Sequence, residues 1–448
     1  MRTGVVRKAR MPRRLPLLGH AVSFARDPLA FISTMRHAGD VVKIRVGTQD
    51  LYLIYKPALV RQVLTDATTF VRGIQAERTK VLLGNGLVSS DGDFHLRNRR
   101  LVQPAFHRQR IAGYADVMRE EAEAMVARWR EGGQIAADDE VMQVGLRVVG
   151  KTLFSNAFGV EAVDEVVRSV PLVLDGVGRR ALDPTGLLQK LPTAGNREFN
   201  TTLQRLRDVV DRIIAEYRAS NTDHGDMVSM LLRATDAETG EQLTDLQIRD
   251  EVITMLAAGT DTTANTLSWI LHVLGERADL EARLHAEVDS VVGDRPVTLA
   301  DVPKLEFVRR LISEALRLYP QAWVLARTTT VPVRLGDTAL PAGTSMLLPI
   351  YALQRDPAVF PDPTTFDPDR WDPERTNQAM KPSFLPFGAG RHQCVGEAFA
   401  WTEAAITLAV IARHWRLCPV PGKSVEINSL ATLRPTQLPM TTHLRNTV

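Results

Sequence analysis

The sequence predicts a mainly α protein, one large helical domain that carries small β-sheets. Three observations lead there. The 448 residues run without a Gly/Ser linker, low-complexity tract or internal repeat to divide them, although that length alone would allow roughly two or three domains. Amphipathic helical patterning fills most of Ile111 to Tyr217 and returns after Thr244 in a run of about thirty residues. Strand-like alternation is confined to short stretches such as Val41 to Val46. With 44% apolar and 24% charged residues, the chain has the balance of an ordinary globular protein. It is also long enough to bury a core with room for a cofactor.

The amino end is basic. Arg2, Arg7, Lys8, Arg10, Arg13 and Arg14 all precede the first acid, Asp27. Residues 1–14 read as a disordered, solvated tail, and residues 15–448 as the single domain. Leu15-Pro16-Leu17-Leu18-Gly19 is too short and interrupted for a signal peptide, and no window has the length of a transmembrane helix. A formal charge of +3 gives no reason to expect nucleic acid. Two cysteines, Cys394 and Cys418, make no disulfide framework, which points to the cytoplasm.

Val41 to Val46, a Gly-Thr-Gln-Asp turn and Leu51 to Tyr55 predict a small sheet. Phe70 to Gly92 is glycine-bearing and irregular, suited to a loop over a pocket. In the helix that follows, His95 and Arg99 are four residues apart and can reach one anionic group, although Arg clusters are commonly just a solvated face. Arg97, Arg100, Arg108 and Arg110 are expected on the surface, making it basic. Beyond Ile111 the helical pattern breaks near Gly132-Gly133 and Asp183-Pro184-Thr185-Gly186.

Thr244 and Gln247 form a capping box that opens the long helix, with Leu243 and Ile248 as its hydrophobic staple. Ala258-Gly259-Thr260-Asp261-Thr262-Thr263 lies at its centre, where glycine and threonine are poor helix formers. A threonine hydroxyl can divert an i−4 carbonyl, so Ala258 and Thr262 are placed to open a groove. The bland alternative is a kinked core helix of no chemical importance. Glu314 and Arg317 share a helix face, and prolines then crowd the chain from Pro320 to Pro386 around Phe366-Asp367-Pro368-Asp369-Arg370-Trp371.

Phe387-Gly388-Ala389-Gly390-Arg391-His392-Gln393-Cys394-Val395-Gly396 holds one cysteine among three glycines, just before an apolar segment. A thiol on such a loop, at a helix start, sits where amide N–H groups and the dipole favour its anion. It could be a nucleophile, a redox group or a metal ligand; a paired Cys-x-x-Cys site is excluded. A buried cysteine in a glycine-rich turn is the plain alternative.

These ten residues resemble the haem-binding motif of the cytochromes P450, Phe-x-x-Gly-x-(Arg/His)-x-Cys-x-Gly, with Phe387, Gly390, His392, Cys394 and Gly396 in every fixed place. Ala258 to Thr262 resembles the family's (Ala/Gly)-Gly-x-(Asp/Glu)-Thr motif, and the resemblance spans about Pro12 to Met440. It implies the cytochrome P450 fold, with haem b between the long central helix and the helix after the cysteine loop. Cys394 would be the axial iron ligand. His95, Arg99, Arg327 and His392 would hold the propionates, and Glu314, Arg317 and Arg370 would form a buried structural triad. Asp261 and Thr262 would deliver protons as O2 is activated. Met255, Ala258, Trp323, Val324 and the terminal-hairpin residue Leu433 would face the substrate.

The implied activity is a monooxygenase inserting one oxygen atom into a lipophilic small molecule. Motif style resembles actinobacterial enzymes that tailor terpenes or polyketides, with a terpenoid the first choice and a macrolide-like polyketide the second. No flavin or nicotinamide motif is present, so electrons would come from ferredoxin and an NAD(P)H-dependent ferredoxin reductase. That donor would dock on a face made basic by Arg97, Arg100, Arg108, Arg110 and Arg391. The protein is expected to be a monomer. The rivals are oxidative coupling or peroxygenation on the same fold, and a haem sensor without turnover.

Overall fold

The computed structural model describes residues 9–12, 18–154, 159–181, 191–220, 222–376 and 378–445. Its axis is the central helix, Asp245–Glu276, 32 residues and about 48 Å long at the α-helical rise. The capping box forms as expected: Thr244 Oγ1 accepts the Gln247 N–H at 3.3 Å, and Gln247 Oε1 accepts the Thr244 N–H at 2.9 Å. Ile248, Val252, Leu256, Leu267 and Ile270 are all buried, so the helix is apolar on most of its circumference.

Helices Arg108–Val126, Ala137–Leu153 and Glu397–His414 surround it and share one core, in which Met118, Val144 and Leu408 are 3% exposed or less. Each fully buried Leu, Met or Val contributes about 1.5–3 kcal/mol by leaving water. Gly259 decides how closely the central helix approaches Ala137–Leu153. A Cβ there would stand 3.2 Å from Val149 Cγ2, so only glycine permits the contact without a shift.

Five short strands form a mixed sheet to one side, in the order Val41–Val46, Gln49–Ile54, Ser345–Leu348, Leu325–Thr329, Phe70–Val71. The first two make the expected hairpin, with Val41 opposite Ile54. Leu325 pairs with Leu348 and Phe70 with Thr329, which brings the middle of the chain beside its beginning. Gln134–Ala136, Pro439–Leu444 and Trp415–Pro419 make a second sheet. A last small hairpin, Ile427–Asn428 with Arg434–Pro435, brings its tip against the central helix.

Two sequence expectations change. Phe70 to Gly92 is not loop throughout: Ile74–Leu83 is a helix. It is bracketed by Gly73 and Gly84, both at positive φ (69° and 53°), and those two glycines are what made the segment read as irregular. The basic tail is also not wholly free. Val41–Val46 is an edge strand with open backbone groups, and Arg10 O accepts the Lys43 N–H at 2.9 Å. Ordered chain therefore begins before residue 15. Arg2, Arg7, Lys8, Arg13, Arg14, the Leu15 to Leu17 stretch and the Asp183 to Gly186 break lie outside the described residues. Among the described residues, no helix is long and apolar enough to cross a membrane.

Candidate active site

The cysteine loop folds back on itself through Cys394 N–H donating to Phe387 O at 2.9 Å. Gly390, at φ 71°, makes that path possible, because a Cβ there would lie 2.4 Å from Leu64 O. Arg99 Nη1 donates to Gln393 O at 2.6 Å and ties the loop to helix Gly92–Val102. The loop presents Cys394 to a cavity of about 320 Å³, whose opposite wall is the central helix at Ala258, Gly259, Thr262 and Thr263. The thiol is exposed on the cavity side, with protein packed densely around the rest of it. That burial pushes it up, outweighing the Gly396 N–H and Arg99, which favour the anion. The amide N–H of Gly396 favours the anion as the sequence implies, but burial is the larger influence. A metal ion bound to the sulfur would deprotonate it outright.

A wall of nitrogen donors closes one end of the cavity. His95, Arg99, Arg327 and His392, all singled out in the sequence, line it together with Arg72, which was not. Arg72 Nε, His95 Nε2, Arg327 Nε and His392 Nδ1 are buried without partners. The two histidine rings lie 4.4 Å apart, and His392 Nε2 stands 3.0 Å from Asp91 Oδ1. Burial pushes His95 down to about 3 and lowers His392 as well, so these rings are neutral partners and not further cations. Arg72 is pushed down to about 10 by burial and by the nearby Arg327, yet stays charged at neutral pH. Arg72 Nε and Arg327 Nε are buried, charged donors without acceptors, and such groups demand an anionic ligand. The two carboxylates of a haem would fit this donor set, with Cys394 available to its iron and Phe387, Val395 and Ala258 offering apolar walls to its ring.

Thr262 reaches the cavity while its Oγ1 donates to Ala258 O at 3.0 Å, and Thr266 Oγ1 donates to Thr262 O at 2.9 Å. The hydroxyls thus engage the i−4 carbonyls, as their spacing implied. Asp261 points elsewhere. Thr432 Oγ1, at the tip of the terminal hairpin, donates to Asp261 Oδ2 at 2.5 Å, and Asn265 Nδ2 donates to Thr432 Oγ1 at 3.2 Å. Two adjacent residues on a helix cannot face the same point.

Of the five pocket residues named from the sequence, Met255 and Ala258 line the cavity. Trp323, Val324 and Leu433 instead join a separate cluster with Leu29, Phe31 and Tyr55. Ala322 and Leu325, on either side of Trp323 and Val324 in the irregular segment leading into strand Leu325–Thr329, take the cavity side in their place. Leu433 is turned inward by Trp269 Nε1 donating to its carbonyl at 2.9 Å.

Two buried carboxyls beside the cavity were also missed. Glu251 Oε2 accepts the Leu87 N–H at 3.1 Å and Oε1 accepts from Asn98 at 2.9 Å, yet burial pushes the acid up to about 7. Glu403 is fully buried next to Thr263 and is pushed up to about 8. Glu403 stands alone among mostly apolar neighbours in the sequence, but Glu251 follows Arg249-Asp250 and carries no such signal.

The structural triad assembles. Arg317 clamps Glu314 through Nε at 2.8 Å and Nη2 at 2.7 Å, and Arg370 Nε lies 3.3 Å from the same carboxylate. Trp371 Nε1 and the Asp367 N–H complete its shell, each at 2.9 Å. Backbone carbonyls of Gln354, Pro363 and Thr365 take the remaining Arg317 donors.

The predicted basic face is partly neutralised. Arg97 pairs with Glu241 at 3.1 Å, and Arg100 with Asp236 at 2.8 Å and Glu238 at 3.1 Å, all from one loop. Arg110 donates to Gly225 O at 3.1 Å, while Arg108 and Arg391 are exposed.

A family model described as Cytochrome P450 matches residues 10–441. Cyclooctatin synthase of Streptomyces melanosporofaciens is 47% identical to the chain, over 92% of it and 91% of that protein. Pentalenene oxygenase of Streptomyces avermitilis is 40% identical, over 94% of each. The crystal structure of a cytochrome P450DA haem domain is similar at a TM-score of 0.89 and 26% identity, covering 99% of this chain and 98% of that one.

Proposed function

The chain belongs to the cytochrome P450 family, whose members use haem and dioxygen, and on that premise we propose that it is a haem b monooxygenase acting on a terpenoid. One observation carries the reading: Cys394 and Thr262 face each other across a single cavity closed by partnerless nitrogen donors. The two relatives above are named for making cyclooctatin and for oxygenating pentalenene, which supports the substrate class. The cavity walls agree with it, since Leu87, Val149, Leu153, Met255, Ala322 and Leu325 are apolar.

Haem bound through a thiolate supplies the oxygen chemistry, splitting dioxygen so that one atom enters a C–H or C=C bond and the other leaves as water. The chain's own residues do the rest. Cys394 would hold the iron, and Arg99 keeps the cysteine loop in place through Gln393 O. Arg72 and Arg327 would hold the ring's carboxylates, with His95 and His392 lining the same end of the cavity. Thr262 holds a hydroxyl at the reacting end of the cavity, where it can accept a proton and pass it on. Asp261, held by Thr432 on the far side of that helix turn, takes protons from outside and returns them by way of water. The apolar walls exclude bulk water from the reacting carbon.

Electrons come from a ferredoxin and its NAD(P)H-dependent reductase, docking on the cysteine side through Arg108 and Arg391 in place of the neutralised Arg97 and Arg100. The enzyme works as a cytoplasmic monomer. Incubating the haem-loaded protein with NADPH, ferredoxin, ferredoxin reductase and a panel of cyclic terpenes tests the reading. Products heavier by one oxygen, labelled from 18O2, are expected. Turnover of macrolides alone, or of nothing, would overturn the substrate class.

A further inference from the structure

The donor wall accounts for the partnerless nitrogens, and Gln321 is a buried polar side chain at the cavity that belongs to neither that wall nor the threonine row. Gln321 is 5% exposed and lines the cavity beside Ala322 and Leu325, on the segment after helix Glu306–Leu318. Its Nε2 donates to Tyr319 O at 3.0 Å, which sets the orientation of the amide. Its Oε1 is then left buried with no partner. A native interior seldom keeps a buried acceptor unpaired unless water or a ligand completes it.

The chemistry of that ligand follows from what the amide can offer. With one Nε2 hydrogen held by Tyr319 O, the polar atom of Gln321 left wholly unpaired is the Oε1 acceptor. Ethers, ketones and hydrocarbons bring nothing to that acceptor, while a hydroxyl does. The group carries no charge to offset an ammonium. Around it Ile312, Leu316, Ala322 and Leu325 are apolar, so the hydroxyl must sit on a lipophilic frame.

We propose that Gln321 Oε1 accepts a hydrogen bond from a hydroxyl already present on the substrate, which makes the preferred substrate a terpenoid alcohol and not its parent hydrocarbon. This rests on the terpenoid reading above. It also places the enzyme in a sequence of reactions. An earlier oxygenation, or a cyclisation ended by water, must install the first hydroxyl, and this enzyme oxidises a second carbon while the first oxygen is anchored at Gln321.

The test is a binding titration of the haem-loaded enzyme, read by the spin-state shift of the haem. The probes are cyclic sesquiterpene and diterpene alcohols, each paired with the hydrocarbon that lacks only the hydroxyl. Wild type is expected to bind the alcohols about tenfold more tightly, as for one buried hydrogen bond. Gln321→Leu keeps the volume and removes the acceptor, so the preference should vanish while hydrocarbon affinity stays or improves. Gln321→Glu keeps an acceptor and should retain an alcohol preference. The reduced carbon monoxide spectrum of each variant shows whether the haem site is intact, and wild-type preference stands as a test even if a variant fails to fold. No preference in wild type overturns the proposal, as does a preference that survives in Gln321→Leu, the result expected if Oε1 holds only a structural water. If no terpenoid of either kind binds to an intact enzyme, the terpenoid reading falls and takes this one with it.

Discussion

Glu314→Ala is expected to yield little soluble, haem-loaded protein. Glu314 and Arg317 are both 0% exposed and Arg370 only 4%, so the substitution leaves two buried guanidinium groups around an empty place. Breaking such a buried pair costs roughly 3–5 kcal/mol, a large part of the 5–15 kcal/mol by which a domain is typically stable. The backbone carbonyls that also bind Arg317 cannot neutralise it, and Trp371 Nε1 and the Asp367 N–H lose their acceptor in the same change. Yield, haem content and thermal midpoint of the purified variant measure the effect. Wild-type values for all three would mean that the triad carries no weight in the fold.

Thr262→Ala is expected to separate electron consumption from product. The substitution removes a hydroxyl at the cavity wall and little volume, so substrate should still bind and the first electron should still arrive. Oxygen activation then lacks its proton-handling group, and at least about nine-tenths of the NADPH consumed should appear as hydrogen peroxide, given the 10²–10⁴-fold worth of a positioned acid or base. Asp261→Asn keeps the shape that Thr432 holds but cannot carry a proton. It should slow turnover about tenfold or more, with less loss to peroxide. Stopped assays that count NADPH, peroxide and product together distinguish the two patterns. If both variants match wild type in rate and coupling, protons reach the site by another route.

What could be read from the sequence was whatever lies close together along it. The capping box at Thr244, the Ala258 to Thr262 row, the Glu314 and Arg317 pair and the Cys394 loop are each short spacings with a physical reason. All four take the geometry those spacings imply. Arg370 and Arg327 were implied by the resemblance alone; Arg370 Nε lies 3.3 Å from Glu314 and Arg327 lines the cavity. What failed depends on which way a side chain turns in a short irregular segment. Trp323 and Val324 went to the wrong face by one residue, and the hairpin tip presents Thr432, not Leu433, to the central helix at Asp261.

Other features were invisible because they join distant parts of the chain. Arg72, Asp91 and His392 meet only after folding, and nothing near Arg72 in the sequence marks it. Arg97 and Arg100 looked like a free basic face until a loop some hundred and forty residues later covered them with acids. Glu251 and Glu403 are weakened as acids by burial, which a sequence does not display.

Cys394 as the haem ligand is the central claim, and the spectrum of the reduced carbon monoxide complex tests it most directly. Wild type and Cys418→Ser should both show the strongly red-shifted Soret band that only a thiolate ligand produces. Cys394→His, if it binds haem at all, should show the unshifted, globin-like band. A red-shifted band that persists in Cys394→His, or that is lost in Cys418→Ser alone, would contradict the assignment of the iron to Cys394.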